Sequence, residues 1–297
     1  MVCTNRDGET IRPALEALAA QAGQGRRVLV INGVDAATAA ELDRLARQTG
    51  FSPVPTASTG LSEARNIGAG ALGDEQVVAF VDDDAIVHGD WLEKLAAQWG
   101  SATPDVACIG GAVLPRFEEP PPRWVSPQIN STLSILDLGP HTQQLDPQRQ
   151  DCYGSNISFE REALEGVGGF DTRLGAWGSM PLVGEETAVQ RALAAAGRSI
   201  VYAGDVRVDH LVESDRLTLA GFFRRRVVVG AASARVGLMR RLEAAARAAR
   251  ASAGLGVAVA RRDWALAGER VARLGTNLGA ALAPVIRRRL RRLGWPG

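Results

Sequence analysis

The chain has 297 residues, of which 46% are hydrophobic and 23% charged, a composition that fits a globular protein with a large core and excludes wholesale disorder. The 33 glycines follow no Gly-X-Y period, and no apolar run approaches the roughly 18–20 residues of a membrane span, so a collagen-like fibre and a membrane-embedded class are excluded. The formal net charge of +1 conceals an asymmetry, because residues 216–297 hold 18 arginines and three acidic residues. That tail carries +15 and the remainder −14. An acidic body suits a cation-assisted active site, and a basic tail suits a phosphate-bearing surface or simply neutralises the body.

Three cysteines, Cys3, Cys108 and Cys152, are scattered without the spacing of metal ligands, and we expect reduced, mostly buried thiols. The first residues lack the basic-then-apolar order of a signal peptide. These features predict a cytoplasmic protein, and the basic tail suggests the inner face of the cell membrane as a more specific location.

Helix and strand patterns alternate from the N-terminus. Helices are predicted over residues 11–22, 36–48, 61–72 and 90–99, and strands over residues 28–31, 77–81 and 106–114. This alternation favours a doubly wound α/β sheet, in which ligands bind beyond the carboxyl ends of the strands.

The proline-rich segment 115–147 has few periodic features and is predicted to be a long loop on the acceptor side. Structure is predicted to resume at residues 152–159, with a helix over 185–196 and strands over 199–202 and 206–210. Beyond residue 216 the Ala/Arg/Leu-rich sequence predicts helices. We therefore expect an α/β domain over 1–215, divided into halves at 1–114 and 115–215, and a helical basic extension over 216–297.

Three consecutive carboxylates, Asp82, Asp83 and Asp84, directly follow the predicted strand 77–81. Carboxylates so close together repel one another unless a cation is present. Their oxygen atoms suit Mg²⁺ or Mn²⁺, which proteins often share with substrate phosphates. Taken alone, an ordinary acidic turn is the alternative.

Three further signals are individually weak. Ser62 can cap a helix and Arg65 can present its forked guanidinium to a diphosphate, although an ordinary capped helix with a surface arginine has the same pattern. Glu185 and Glu186 open a helix, whose N-terminus favours the ionised form that a general base needs, but acids are common in first turns. His210 follows a strand and is a candidate metal ligand near the acidic turn, with a structural histidine as the alternative.

In their order along the chain these motifs resemble the inverting glycosyltransferases of family 2, which have the GT-A fold. The resemblance extends over residues 1 to about 235. It is carried by Cys3-Thr4, Val28-Leu29-Val30-Ile31, Gly60-Leu61-Ser62, Ala64-Arg65-Asn66, Gly68, Phe80-Val81-Asp82-Asp83-Asp84, Tyr153-Gly154-Ser155-Asn156-Ile157-Ser158-Phe159, Gly168-Gly169-Phe170-Asp171, Gly184-Glu185-Glu186, and His210 with Arg216.

The resemblance implies a metal-dependent, inverting transfer of a sugar from a nucleoside-diphosphate sugar, with UDP as the favoured nucleotide, to an acceptor hydroxyl. It implies that Glu186, paired with Glu185, is the catalytic base. It places Mn²⁺ or Mg²⁺ at Asp84, Asp82 and His210. The implied donor-binding residues are Thr4, Asn32, Arg65, Asn66, Asp82, Asp83, Gly111, Asn156 and Arg216.

Three departures from the family pattern stand out. Asn32 occupies the position where the family usually has an acid that pairs with the nucleotide base, so uracil specificity is in doubt. The Asn-Arg pair of the family's first loop is shifted here, as Asn5-Arg6-Asp7. The first strand, Met1–Thr4, is short for a central strand, and it is either stunted or continued upstream.

Two other functions fit parts of the sequence. A nucleotidyltransferase shares the layout and an acidic metal site, but residues 5–10 are too short for its glycine-rich phosphate loop. A catalytically weak, membrane-associated adaptor that binds nucleotide sugars with the same fold is the second alternative. Nucleic acid is not expected as a partner, because the chain has only six Trp, two Tyr and seven Phe and no RNA-binding aromatic cluster.

The C-terminal segment combines five arginines at 287–289 and 291–292 with an apolar stripe of Ile286, Leu290 and Leu293, followed by Trp295. A short amphipathic helix of this kind predicts reversible contact with an anionic membrane. The alternative is that the stripe packs on the acidic body or on an earlier helix.

Overall fold

A computed structural model describes residues 1–23, 25–177, 183–235 and 241–292; within helices, the side chains of residues 232, 233, 235, 241–243, 287 and 289–292 are not described. The chain divides into two compact units. The first contains residues 1–115, 136–172 and 185–210, and the second contains 116–135, 173–184 and 211–297. These units interleave along the chain, so their bounds differ from the predicted domain boundary at residue 215. That domain boundary stays a prediction.

The strands form two sheets. The bounds are β1 Val2–Thr4, β2 Val28–Asn32, β3 Ser52–Thr56, β4 Val77–Val81, β5 Ala85–Val87, β6 Val106–Phe117, β7 Thr142–Leu145, β8 Asn156–Glu160 and β9 Ser199–Val212. Strands β1, β2 and β3 are parallel, and the second sheet has the order β4-β8-β6-β9-β5, with β7 antiparallel to β9. Met1 joins the two sheets, since its amino group donates to the Ala79 carbonyl (2.6 Å) and its carbonyl accepts from the Val81 amide (3.1 Å). The mixed sheet with parallel strands confirms the predicted α/β class.

Five of the six helices described in the first unit follow an aspartate or a glycine, and α5 follows Glu160. The bounds are α1 Gly8–Ala19, α2 Ala36–Gln48, α3 Leu61–Ala71, α4 Trp91–Ser101, α5 Arg161–Gly166 and α6 Glu185–Ala195. Asp7 caps α1 by accepting from the Thr10 amide (2.9 Å), and Asp35 caps α2 in the same way. The cap at Asp7 explains why α1 begins three residues before its predicted start. Gly60, rather than Ser62, precedes α3; Ser62 is buried inside that helix.

The core of the first unit lies on both faces of the sheets. Ile11, Leu15 and Leu29 belong to one buried cluster, and the rings of Phe80, Phe159 and Phe170 meet edge to face in the other, 5.1–6.0 Å between centroids. All three cysteines are buried and free, as predicted. Burial raises the pKa of Cys3 to about 12, which keeps that thiol protonated and unreactive.

The prediction of a long loop over 115–147 was wrong, because regular structure interrupts it. Strand β6 continues to Phe117, a 3₁₀ helix covers Pro127–Leu133, and β7 lies within the segment. The two strands predicted over 199–210 are instead the single strand β9. A Cβ on Gly204 would lie 2.0 Å from the Gly139 carbonyl oxygen, so this glycine lets the chain cross β9 without breaking it.

The second unit is mainly helical, as the sequence predicts. Its helices are α7 Leu219–Arg235, α8 Arg241–Ala260, α9 Trp264–Ala281 and α10 Ala283–Arg292. Helix α9 packs against α7 and α8, and Trp124 contacts Phe222 in the core of the unit, with ring centroids 4.9 Å apart. In the parts of the chain that the structure describes, no helix is long and apolar enough to span a bilayer. Leu293 and Trp295 of the predicted amphipathic tail lie outside the described residues.

Candidate active site

The acidic turn after β4 is held against the end of β1. The Thr4 hydroxyl donates to the Asp83 carboxylate at 2.6 Å. Arg6, just beyond β1, places Nη2 3.3 Å from the Asp84 carboxylate and Nε 3.7 Å from that of Asp83. Burial raises the pKa of Asp83 to about 7, with the charge of Asp84 adding to the effect. The sequence places Arg6 in a shifted first-loop motif without a role at the site; the structure puts its guanidinium beside the acidic turn.

Arg65 joins the acidic turn to the start of α6. Its side chain is 3% exposed, and Nη2 lies 2.9 Å from Asp82 while Nη1 lies 2.8 Å from Glu185. The guanidinium also lies 5.5 Å from the ring centroid of Phe170, within cation–π range. The structure therefore gives Arg65 two carboxylate partners in the protein, whereas the sequence analysis assigned its fork to a diphosphate.

Glu186 is the second residue of α6 and is largely shielded from water. Its Oε2 atom is buried and accepts no hydrogen bond within the described residues. Burial raises the pKa of Glu186 well above the ordinary value, the charges of Glu185 and Asp151 raise it further, and Arg65 opposes the shift. A carboxylate of raised pKa is a better match for a proton-accepting role near neutral pH than an ordinary one.

Two residues that the sequence analysis missed hold the start of α6 in place. Gln190 is fully buried; its amide donates to the Cys152 carbonyl (2.9 Å) and the Glu186 carbonyl (3.1 Å) and accepts from the Cys152 amide (2.8 Å). The Thr187 hydroxyl donates to the Asp151 carboxylate. Gln190 lies one helical turn after Glu186, so its spacing was the signal for a shared face.

Two of the three predicted metal ligands lie together. His210, on β9 opposite Ala85, is 4% exposed, and its Nε2 lies 3.5 Å from the Asp84 carboxylate. Asp82 instead pairs with Arg65, and in the described residues no three His, Cys, Asp or Glu side chains are already gathered as a metal site. Carboxylate oxygens with one imidazole are nonetheless a donor set that Mn²⁺ accepts.

Three predicted donor-binding residues are engaged within the protein. Asn156 donates to the carbonyls of Ala112 and Val206 and accepts from the Trp91 indole, all at 2.8–2.9 Å. Asn66 pairs with both backbone groups of Phe170. A Cβ on Gly111 would lie 1.9 Å from the Val206 oxygen. These contacts support the sheet and the Arg65 environment, and direct contact with a donor stays a prediction for all three.

Asn32 and Arg216 complete the predicted set. Asn32 ends β2, is 5% exposed, and its buried Oδ1 accepts no hydrogen bond within the described residues. Such an orphaned acceptor is costly unless a ligand satisfies it. Arg216 belongs to the second unit, where it donates to the Ser134 hydroxyl at 3.3 Å. Its predicted donor contact also stays a prediction.

The fold is that of the GT-A glycosyltransferases. A solved mannosyltransferase from Pyrobaculum calidifontis, in complex with GDP-Man and Mn²⁺, has a TM-score of 0.61 at 18% identity, over 93% of this chain and 85% of that one. GalNAc-T7 with UDP, GalNAc and Mn²⁺ has a TM-score of 0.52 at 18% identity, over 75% and 46%. At this level of identity the likeness shows the fold.

The sequence model of glycosyl transferase family 2 matches residues 1–168, so the chain belongs to this family. A glucosyl-dolichyl phosphate glucuronosyltransferase of Haloferax volcanii is 32% identical over 154 residues, 51% of this chain and 47% of that protein. Succinoglycan biosynthesis protein ExoM of Rhizobium meliloti is 30% identical over 151 residues, 50% and 44%. The matches span about half the length of these curated relatives.

Proposed function

We propose that this protein is an inverting, metal-dependent glycosyltransferase that moves a sugar from a nucleoside-diphosphate sugar to an acceptor hydroxyl. The observation that carries the proposal is the Arg65 bridge. One buried guanidinium joins Asp82 of the acidic turn to Glu185 of the glutamate pair, at 2.9 and 2.8 Å. The acidic turn and the candidate base are therefore held in one fixed arrangement.

The donor lies beyond the ends of β1, β2 and β4. Asn32 at the end of β2 offers the nucleobase an amide whose oxygen is still available for a hydrogen bond. Thr4 and Arg6 steady the acidic turn from the β1 side. UDP is the donor nucleotide we favour. GDP is the alternative to test, because one solved neighbour contains GDP-Man and the other contains UDP.

A divalent cation fits the chemistry of Asp84 and His210, whose carboxylate and imidazole lie 3.5 Å apart. Asp82 is the third candidate ligand, and it would exchange part of its contact with Arg65 for the ion. When bound, Mn²⁺ or Mg²⁺ supplies positive charge that balances the diphosphate of the leaving nucleotide. The Mn²⁺ in both solved neighbours supports this choice.

Glu186 accepts the proton of the acceptor hydroxyl as that oxygen attacks the anomeric carbon. The new glycosidic bond forms as the bond between the anomeric carbon and the diphosphate oxygen breaks, and the nucleoside diphosphate leaves with the electron pair. Attack on the face opposite the leaving group inverts the anomeric configuration, and no covalent sugar–enzyme bond is needed. The raised pKa of Glu186 supports this role, because its basicity approaches that needed to take a proton near neutral pH.

The acceptor we favour is a hydroxyl of a lipid-linked or polymeric glycan. A relative named for a dolichyl phosphate glycan and another named for succinoglycan biosynthesis support this class. Work on such an acceptor at the cytoplasmic face of a membrane would fit reversible contact through the Arg-rich C-terminus, and we propose this location for the protein.

The test is a donor screen with the full chain. UDP- and GDP-sugars are incubated with Mn²⁺ or with EDTA, and released nucleoside diphosphate and the anomeric configuration of the product are measured. We expect Mn²⁺-dependent release and an inverted product, both lost in Glu186→Gln. Donor binding without release by the native chain would favour the adaptor function, and a retained configuration would contradict the inverting mechanism.

A further inference from the structure

Helix α8 has one packed face and one open face. Ala244, Ala248, Ala251 and Ala258 form a buried stripe toward α9. Between residues 246 and 260 the opposite side is exposed and consists of small apolar residues with arginine: Ala246, Ala249, Arg250, Ala253, Val257 and Ala260. Because 20 residues of α-helix extend about 30 Å, the open face is long enough to lie along a flat surface.

The turn from α8 to α9 carries the largest apolar side chains of this region. Val257, Val259 and Trp264 are 50%, 47% and 44% exposed. Arg261 and Arg262 lie between them and are also exposed. The turn therefore presents half-exposed valine and indole side chains beside two exposed arginines.

The charge of this surface is mainly positive. Residues 244–262 contain four arginines, at 247, 250, 261 and 262, and no acidic residue, while Glu243 and Asp263 stand at either end of this stretch. The Asp263 carboxylate accepts from the Leu266 amide and caps α9. An apolar face flanked mainly by arginine and ended by a tryptophan matches a lipid–water interface, where indole and guanidinium groups both favour the headgroup level.

We propose that the α8 lipid face, defined as the open side of α8 with residues 256–264, docks on an anionic lipid bilayer. The valines and Trp264 enter the headgroup–acyl boundary, and Arg250, Arg261 and Arg262 lie against lipid phosphates. This surface differs from the C-terminal segment 284–297 that the sequence analysis singled out. It does not depend on the reaction under "Proposed function", so a failed donor screen leaves it intact.

The test is flotation of the full chain with vesicles. One set contains equal parts of phosphatidylcholine and phosphatidylglycerol, and the other contains phosphatidylcholine alone. The native chain should float with the first set, less so at high salt. Val257→Ser with Trp264→Ser, and separately Arg261→Ser with Arg262→Ser, should each weaken binding about tenfold or more.

Two control variants test whether the loss of vesicle binding is specific to the α8 lipid face. Leu219→Ser removes an apolar residue that is 51% exposed elsewhere in the second unit. Arg44→Ser with Arg47→Ser removes the same charge from α2. Both should bind like the native chain. Since every substituted side chain is exposed, thermal unfolding should stay close to the native value in all variants and exclude misfolding as the cause.

Three results would overturn the proposal. Equal flotation with both vesicle sets would remove the role of lipid charge. Unchanged binding by the α8 variants, with loss on Val285→Ser plus Arg288→Ser in α10, would move the contact to the C-terminal helix. A dimer in sedimentation velocity that Trp264→Ser dissociates would show that a second copy of the chain covers this face.

Discussion

At the scale of single residues, Arg65 is the centre of the site. It is almost fully buried, and its two carboxylate partners come from sequence positions 17 and 120 residues away. A buried charge is tolerated only when it is paired and hydrogen-bonded. The two ion pairs of Arg65 hold the carboxylates of Asp82 and Glu185 in place. Glu185 spends its Oε1 atom on Arg65, whereas Glu186 has no ion pair with Arg65 among the described contacts; the Oε2 atom of each glutamate is buried without a hydrogen-bond partner.

Glu186→Gln should lower kcat by about 10²–10⁴-fold, because it removes a general base and keeps the shape of the side chain. Donor affinity should stay unchanged, as measured by calorimetric titration with the nucleotide sugar. Glu185→Gln is the control. It should reduce kcat less, yet lower the melting temperature more, because it leaves Arg65 short of a buried partner. A reversed order of the kcat effects would make Glu185 the base.

The pH dependence of kcat/KM should report the raised pKa of Glu186. A base must be ionised to accept a proton, so activity rises with pH through that pKa, and burial moves the rise to higher pH than an ordinary glutamate gives. Asp151→Asn removes one of the charges that raise the pKa, so the acidic limb should move to lower pH. Asp43→Asn, far along the chain on α2, should leave it in place. An unchanged acidic limb of the pH profile in Asp151→Asn would show that the Asp151 charge does not raise the pKa of Glu186.

Asp84→Ala should abolish metal-dependent donor binding. Asp84 is the carboxylate that lies beside His210, so its loss removes a direct ligand and costs several kcal/mol of transition-state stabilisation. Nucleotide binding is measured by titration with Mn²⁺ and again with EDTA, and Asp43→Ala serves as a charge-matched control. Equal Mn²⁺ stimulation of Asp84→Ala and the native chain would rule out this ligand.

At the scale of elements, the sequence predicts what local pattern determines. The apolar run of β4 and the carboxylates after it are contiguous, so both were found. The pairing of β7 with β9 joins residues about 60 positions apart, and the amide of Glu118, next to the end of β6, donates to the Val212 carbonyl; no local period reveals such partners. The same limit explains Arg65: its spacing in α3 suggested an exposed fork, and only the fold brings Glu185 to it.

The side chain of Gln190 holds the start of α6 against the chain at Cys152. Gln190→Leu keeps the volume but removes three hydrogen bonds that tie α6 to the chain at Cys152, so Glu186 should shift. We expect kcat to fall about 10–100-fold with little change in donor KM. Gln21→Leu is the matched control, since Gln21 is also buried and bonds to His88 and Leu92 at a distance from Glu186 along the sheet.

The two glutamine variants should lose similar stability, measured as melting temperature. Only Gln190→Leu should lose kcat and shift the acidic limb of the pH profile. If both variants lose stability and neither loses kcat, Gln190 serves the fold and has no part in positioning the base.

At the scale of the whole molecule, the chain consists of two units, each with its own core. The acidic turn, Arg65, both glutamates and His210 all belong to the first unit, and the long helices belong to the second. This division parallels the charge asymmetry of the sequence, in which the acidic part carries the site residues and the basic part carries α8 and its arginines. A chemical role and an attachment role can therefore be separated by substitution.

Gly279→Leu should unfold the second unit at lower temperature while the first unit keeps its donor site. A Cβ on Gly279 would lie 1.8 Å from the Val227 carbonyl oxygen, so a larger side chain forces α9 away from α7. Gly256→Ala is the control, because an added Cβ there meets no atom within 4 Å, and alanine should stabilise α8 by up to about 1 kcal/mol.

Thermal unfolding by circular dichroism gives the stability of each variant, and calorimetric titration with UDP and Mn²⁺ gives donor affinity. The expected result is a lower first transition for Gly279→Leu with native affinity below that transition. A parallel loss of affinity would mean that residues of the second unit, with Arg216 as the first candidate, take part in holding the donor.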